Sequence, residues 1–247
     1  MTTTSNMHIT AIIPARYGSS RLPVKPLKLI SGISLIQRVY EATISTSLFD
    51  KVIIATDHEE IRQHAHSFGA QVKMTSQNHP TGTDRIEECA RDIKTDLIVN
   101  VQGDEPFISK EPLQILIDSF QDKNVQVASI MNIFENIDDI SNPANVKVII
   151  DCLSNAIYFS RSIIPYNRDK IKNITYYKHF GIYAFKPEML KIFVSLPQGT
   201  LEQIEKLEQL RFVENGYKIK MVIANYNGIG IDTEEDIIKA EKYITRK

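Results

Sequence analysis

The chain has 247 residues, 43% of them hydrophobic, and a formal net charge of -1. That length supports one large α/β domain with a sizeable core, while the near-neutral charge argues against non-specific nucleic-acid binding, which needs a strongly basic face. The polar start Met1 to His8 lacks the apolar stretch of a signal peptide, no apolar run approaches the ~20 residues that span a bilayer, and Cys89 and Cys152, without metal-type spacing, read as free thiols of a reducing cytoplasm.

In chain order, the apolar run Ile9 to Ile13 predicts a first strand. Leu35, Ile36, Val39, Tyr40 and Ala42 follow at helical spacing. Lys51 to Ala55 reads as a strand, Glu59 to Phe68 as a helix stopped by Gly69, and Gln71 to Met74 as a third strand. Asp84 to Asp92 is expected helical, Leu97 to Val101 extended, and Glu111 to Phe120 helical with Ser109 as its cap. This alternation implies a mainly parallel sheet with ligands at the carboxyl ends of its strands. The second half changes rhythm. Val125 to Ile133, Val146 to Ile150 and Ala156 to Ser160 read as strands without helices between them, the last two joined at Ser154-Asn155. Tyr177 to Phe185 is a further strand, Thr200 to Glu214 a helix ending at Gly216, Ile219 to Ala224 a strand, and Glu234 to Ile244 a terminal helix. No Pro/Ser-rich linker interrupts the chain. The expectation is a single domain, 1–247, with a nucleotide-binding half near 8–124 and an antiparallel half from 125 onward.

The chemistry begins where the first strand ends, in Pro14-Ala15-Arg16-Tyr17-Gly18-Ser19-Ser20-Arg21-Leu22-Pro23-Val24-Lys25. Gly18 allows close backbone approach to an anion, Ser19 and Ser20 add hydroxyl donors, and Arg16, Arg21 and Lys25 are positive charges with no acidic neighbour in the loop. Such a loop is built for phosphate, yet it matches neither the P-loop nor the dinucleotide glycine pattern. Gln102-Gly103-Asp104 follows the fourth strand, and a carboxylate beside bound phosphate calls for a cation between them. Read alone, Asp104 could equally cap its own turn. Asp232, before Thr233-Glu234-Glu235-Asp236, could be an ordinary helix start. His79 lies in a loop, Ser76 to Arg85, whose amides and hydroxyls suit anions or hydroxyl-rich ligands, and reads as a bystander there.

Taken together, five separated motifs over about residues 8 to 244 resemble the sugar nucleotidyltransferases, and within them the 3-deoxy-manno-octulosonate (Kdo) cytidylyltransferase family. The resemblance implies a Rossmann-like, mainly parallel α/β sheet with an antiparallel insertion. It implies a Mg²⁺-dependent enzyme that joins CTP and Kdo into CMP-Kdo and pyrophosphate, activating the sugar for lipopolysaccharide synthesis. Arg16, Lys25 and Asp104 would be catalytic. Pro14, Ala15, Arg16, Gly18, Ser19, Arg21, Lys25, Asp57, Ser76, Gly82, Gln102 and Gly103 would hold the nucleotide. Arg85, Gln102, Arg161, His179, Tyr183, Glu208 and Gln209 would hold the sugar, and Asp104 with Asp232 the metal. The resemblance also implies a cytoplasmic homodimer, formed through the insert around Ile133 to Ile150. Two residues depart from the family pattern, which usually carries Gly in place of Val24 and Pro in place of Ile163. A positive φ at residue 24 would suit a β-branched side chain badly. The other readings are a cytidylyltransferase for another acidic sugar or a polyol phosphate, and a non-catalytic nucleotide-binding regulatory module.

Overall fold

The computed structural model describes residues 7–19, 22–226 and 228–245. They fall into two compact units: the described residues of Met1–Lys110 and Asn227–Lys247 form one, and Glu111–Tyr226 the other.

In the first unit the expected alternation is present. Strand β1 (Ile9–Ala15) lies between β4 (Lys51–Thr56) and β6 (Leu97–Asn100), parallel to both, and β5 (Gln71–Met74) extends the sheet beyond β4. Ile12 and Ile13, on opposite faces of β1, are both fully buried, as a strand covered on two sides requires. Helix α1 (Leu35–Ser45) is capped by Ser34, whose hydroxyl accepts from Gln37 N, and it buries Leu35, Ile36, Val39 and Tyr40. Helix α2 (Glu59–Ser67) stops at Gly69, which takes φ +80°. Helix α3 (Gly82–Ala90) starts two residues earlier than the sequence suggested, because Thr81 caps it. Between β1 and α1 the chain makes a 3-10 turn at Lys25–Leu27 and a short ribbon of β2 (Leu29–Ile30) with β3 (Ile33–Ser34), neither foreseen.

The second unit takes in α4 (Lys110–Asp118) from Glu111 onward and holds β7 (Val127–Ile133), α5 (Ile137–Ser141), β8 (Lys147–Ile150), β9 (Ala156–Ser160) and β10 (Tyr177–Phe185). Strand β10 is antiparallel to β7 and β8, and β8 to β9. The turn expected at Ser154 is there, with Ser154 at φ +59°. Helix α5 corrects the expectation of strands alone: Asn136 caps it by accepting from Asp138 N. Helix α6 (Pro187–Ser195) was also unforeseen, although Pro187 at its first turn is a start signal. The helix expected over Thr200 to Glu214 is two, α7 (Thr200–Glu205) and α8 (Leu210–Glu214), broken where Lys206 turns left-handed. Strand β11 (Lys220–Ile223) runs parallel to β7. The chain then returns to the first unit with α9 (Glu234–Ile244).

Candidate active site

The first unit gathers most of the expected nucleotide and metal residues at the carboxyl ends of β1 and β6. Pro14 and Ala15 are the last residues of β1, and Arg16 and Gly18 stand exposed just beyond it, with Ser19 partly covered. Arg21 lies outside the described residues. Gly103 packs against the end of β1 so closely that a Cβ there would lie 2.6 Å from the Pro14 carbonyl oxygen. Only glycine fits, so the Gln102-Gly103-Asp104 turn is seated on the strand that launches the basic loop. Gln102 and Gly103 are partly exposed beside Asp104.

Three distant segments meet at one ammonium. Lys25 Nζ donates to Asp104 Oδ2 at 2.7 Å and to Asp232 Oδ1 at 2.9 Å. The reach of Asp232 follows from the backbone, since Ile231 N donates to Asp104 O at 3.0 Å and brings the returning chain alongside the turn. Asp232 is not the helix cap: Thr233 is, in a capping box with Asp236. Burial works against the Lys25 charge, but the Asp104 and Asp232 carboxylates outweigh it, so its pKa lies above the ordinary value. Among the described residues no group of three or more His, Cys, Asp or Glu side chains could hold a metal. Two carboxylates converging on one cation nevertheless fit Mg²⁺, which commonly takes one or two protein carboxylates and completes its shell with substrate phosphates and water.

Val24, just before Lys25, sits at φ 53°, ψ 36°, left-handed. That is the region expected to suit Val badly, and such strain costs about 1–3 kcal/mol. It starts the 3-10 turn, in which Leu27 N donates to Val24 O at 2.9 Å, and Leu22 and Pro26 on either side are buried.

A second network braces the loop from below. Asp57, after β4, accepts from Tyr17 N at 3.0 Å and from Arg85 Nη2 at 2.8 Å. Arg85 Nη1 donates to Thr75 Oγ1 at 2.5 Å, and that hydroxyl donates to Thr56 O. Tyr17 also stacks on His58 with ring centres 3.6 Å apart. The guanidinium expected at the sugar is thus 4% exposed and engaged by the protein. A buried cation takes a buried anion as partner, and the sequence separation of 28 residues hides that pairing. Ser76 lies in the loop before α3, and Gly82 is the first residue of that helix. Glu88 accepts from Ser76 N and pairs with His79, which ties that loop to α3 and gives His79 a structural partner.

In the second unit, Arg161 follows β9. Its main-chain N donates to Glu205 Oε2 at 2.9 Å, its Nε to Glu205 O at 2.8 Å and its Nη1 to Pro143 O at 3.0 Å. Lys147, fully buried, donates to Arg161 O, Asn145 O and Asn142 O. Sequence reasoning missed both Glu205 and Lys147; a charged residue inside the apolar run Val146 to Ile150 was the one visible signal. His179 and Tyr183 share β10, both buried, with ring centres 5.5 Å apart. Burial pushes the His179 pKa down from 6.5 to about 3, and burial with the Glu208 charge holds the Tyr183 phenol well above its usual range. Gln209 is buried with its Nε2 unpartnered, a donor whose desolvation is uncompensated by the protein. Asn100, at the end of β6 in the first unit, is fully buried with neither side-chain polar atom partnered, and it was also missed.

A cytidylyltransferase family model matches residues 10–219. The 3-deoxy-manno-octulosonate cytidylyltransferase of Flavobacterium johnsoniae is 47% identical over 237 residues, covering 95% of this chain and 97% of the relative. Its counterpart from Thermodesulfovibrio yellowstonii is 45% identical over 244 residues, covering 94% and 96%. A solved structure of CMP:2-keto-3-deoxy-manno-octonic acid synthetase complexed with CTP superposes with a TM-score of 0.91 at 36% identity, over 97% of this chain and 99% of that one. The 4-diphosphocytidyl-2C-methyl-D-erythritol synthase of Anaerococcus prevotii, at 18% identity and a TM-score of 0.64, shares the fold.

Proposed function

The chain belongs to the cytidylyltransferase family, among the 3-deoxy-manno-octulosonate cytidylyltransferases, and on that premise we propose how its residues carry the reaction. The protein transfers CMP from CTP to the anomeric hydroxyl of Kdo, giving CMP-Kdo and pyrophosphate. The sugar so activated is suited to lipopolysaccharide synthesis. The observation that carries the residue assignment is the meeting of Lys25, Asp104 and Asp232 at the ends of β1 and β6.

The hydroxyl oxygen attacks the α-phosphorus in line, the bond to the β-phosphate breaks, and the proton of the hydroxyl leaves to solvent. No covalent intermediate is needed, so the protein acts by position and charge. Arg16, Arg21 and Lys25 neutralise the triphosphate and the departing pyrophosphate. Pro14, Ala15, Gly18 and Ser19 offer backbone and hydroxyl groups to the phosphates, with Ser76, Gly82, Gln102 and Gly103 completing the nucleotide pocket. Asp57 shapes that pocket by holding Tyr17 N, and Arg85 holds Asp57.

Asp104 and Asp232 would hold Mg²⁺. When bound, the ion supplies positive charge to the phosphates and lowers the pKa of the attacking hydroxyl. Lys25 keeps the two carboxylates together through its own charge. For the sugar, Arg161 suits the carboxylate, and Gln102, His179, Tyr183, Glu208 and Gln209 suit hydroxyls. The unpartnered Gln209 Nε2 supports that assignment. A cytoplasmic location and a homodimer belong to the same reading, and the exposed Ile133 at the start of the insert, with Leu153 and Ile157 just beyond it, supports the dimer. No described helix is long and apolar enough to cross a membrane.

Pyrophosphate release is the test. Purified protein with CTP and Mg²⁺ should release it with Kdo and not with a sialic acid or a polyol phosphate. Release without any sugar acid, or only with another acceptor, would overturn the assignment.

A further inference from the structure

Strand β10 carries an irregularity opposite β7. Phe180 pairs with Ile130 and Tyr183 with Ser129, so Gly181 and Ile182 are extra residues on β10 at that step. Such bulges leave carbonyls outside the regular ladder. Ser129, fully buried, fills the gap with its side chain. Its Oγ lies 2.9 Å from Ile182 O, 3.2 Å from Phe180 O and 3.0 Å from His179 Nε2.

Proton counting fixes this cluster. A serine hydroxyl has one proton and two lone pairs. Two of its three neighbours are carbonyl oxygens, which only accept. If the hydroxyl proton went to His179 Nε2, the serine oxygen would face both carbonyl oxygens with nothing between them. If the proton goes to one carbonyl, the serine oxygen accepts from an Nε2–H and only the second carbonyl contact lacks a proton, one unfavourable contact against two. The ring therefore carries its proton on Nε2. Phe159 and Tyr183, with ring centres 4.8 and 5.5 Å away, flank the same imidazole and limit its reorientation. Burial keeps it neutral near pH 7.

We propose that Ser129 is a positioning residue that fixes His179 as the Nε2–H tautomer, leaving Nδ1 as an acceptor reserved for a donating hydroxyl of the sugar. The recognition half rests on the reading that places His179 in the sugar pocket; the tautomer half does not. A fixed acceptor favours a hydroxyl at that position and disfavours a carboxylate or carbonyl oxygen, which would meet lone pair with lone pair. This assigns to one serine, on a neighbouring strand, a share of the sugar specificity.

The test labels the full chain with ¹⁵N-histidine and reads the ring nitrogens by two-bond correlation NMR at pH 7, identifying the His179 signals by their loss in His179→Gln. The expected result is a pyridine-type shift at Nδ1 and a pyrrole-type shift at Nε2. The reverse pattern overturns the proposal whatever the sugar kinetics show. Ser129→Ala should then mix the tautomers and raise the KM for Kdo about three- to tenfold, the effect of one hydrogen bond, with the KM for CTP within about twofold. Ser129→Thr, which keeps the hydroxyl, should recover both the shift and the KM. Equal changes in both KM values, or no change in either, would assign Ser129 to the bulge alone and overturn its positioning role. His179→Gln separates the two layers. If it leaves the KM for Kdo unchanged, the sugar-pocket reading of His179 fails and takes the recognition half with it. If it raises that KM while Ser129→Ala does nothing, only the positioning role fails. Should the Ser129 variants not fold, the wild-type spectrum still decides the tautomer.

Discussion

Replacing Arg85 with Gln asks whether that residue braces the phosphate loop or meets the sugar. The guanidinium is 4% exposed and the Asp57 carboxylate 11%, with Nη2 and Oδ2 2.8 Å apart. Removing one member of a buried pair costs about 3–5 kcal/mol, since the other is left charged and under-partnered. Asp57 keeps one donor, Tyr17 N at 3.0 Å, so the lower end applies and the expected loss is about 3 kcal/mol. For a chain of this size that lowers the unfolding midpoint by about 6–12 °C. Thermal and urea unfolding followed by far-UV circular dichroism measure it directly. The double variant Arg85→Gln/Asp57→Asn should lose clearly less than the sum of the single losses, because the unpaired charge is gone. Affinity for CTP should fall with the bracing of Tyr17, and the KM for Kdo should move little. A loss under about 1 kcal/mol together with a selective rise in the KM for Kdo would refute the bracing argument and return Arg85 to the sugar.

Lys25→Ala should lower kcat by about 10²–10³, the usual cost of one lost charge-stabilising donor; steady-state pyrophosphate release is the measurement, and retention of more than about a tenth of the rate would shift the role to Arg16. Asp232→Asn should abolish turnover at every Mg²⁺ concentration while the unfolding free energy stays within about 1 kcal/mol, because Thr233 and not Asp232 caps α9, the Asp232 side chain is 43% exposed, and Lys25 keeps Asp104 as a partner. Near-wild-type activity there would leave Asp104 as the sole protein ligand. Acid should destabilise the fold through His179. Its folded pKa, about 3, is below its ordinary 6.5, so the unfolded chain binds the extra proton. The stability this contributes is intact above pH 6.5 and is lost as pH falls toward 3, at up to about 1.4 kcal/mol per pH unit. Urea midpoints across that window should fall less steeply in His179→Phe, and an unchanged slope would count against a neutral buried ring.

What the sequence made legible was local. Strands β5, β9 and β10 and helix α9 carry their own periodicity, and their bounds are as expected. The Gly103 turn was also readable, since glycine after a strand marks a turn, and the order of the motifs was readable through the family resemblance, although Asp104 and Asp232 taken singly had ordinary capping roles open to them. What stayed hidden depends on distant partners. Nothing near Arg85 announces Asp57, nothing near Arg161 announces Glu205 or Lys147, and no rule puts Ser129 beside His179. The break at Lys206 is illegible for another reason: a left-handed residue that is not glycine leaves no compositional mark. Val24 shows the converse. Its identity argued against a left-handed backbone, yet residue 24 takes one, between the buried Leu22 and Pro26.

The clasp at Lys25 also has a temporal side. Lys25 and Asp232 are 207 residues apart, and every residue of the second unit lies between Asp104 and Asp232. On the ribosome, Lys25 and Asp104 emerge early and wait while Glu111–Tyr226 is made. Because domains tend to fold as they are synthesised, the second unit can form before the first is complete. The first unit closes only when the chain through α9 arrives, and a contact of such long sequence separation forms late. An unfinished chain would thus present the basic loop without its second carboxylate, and on the roles proposed above competence for the reaction would arrive together with α9.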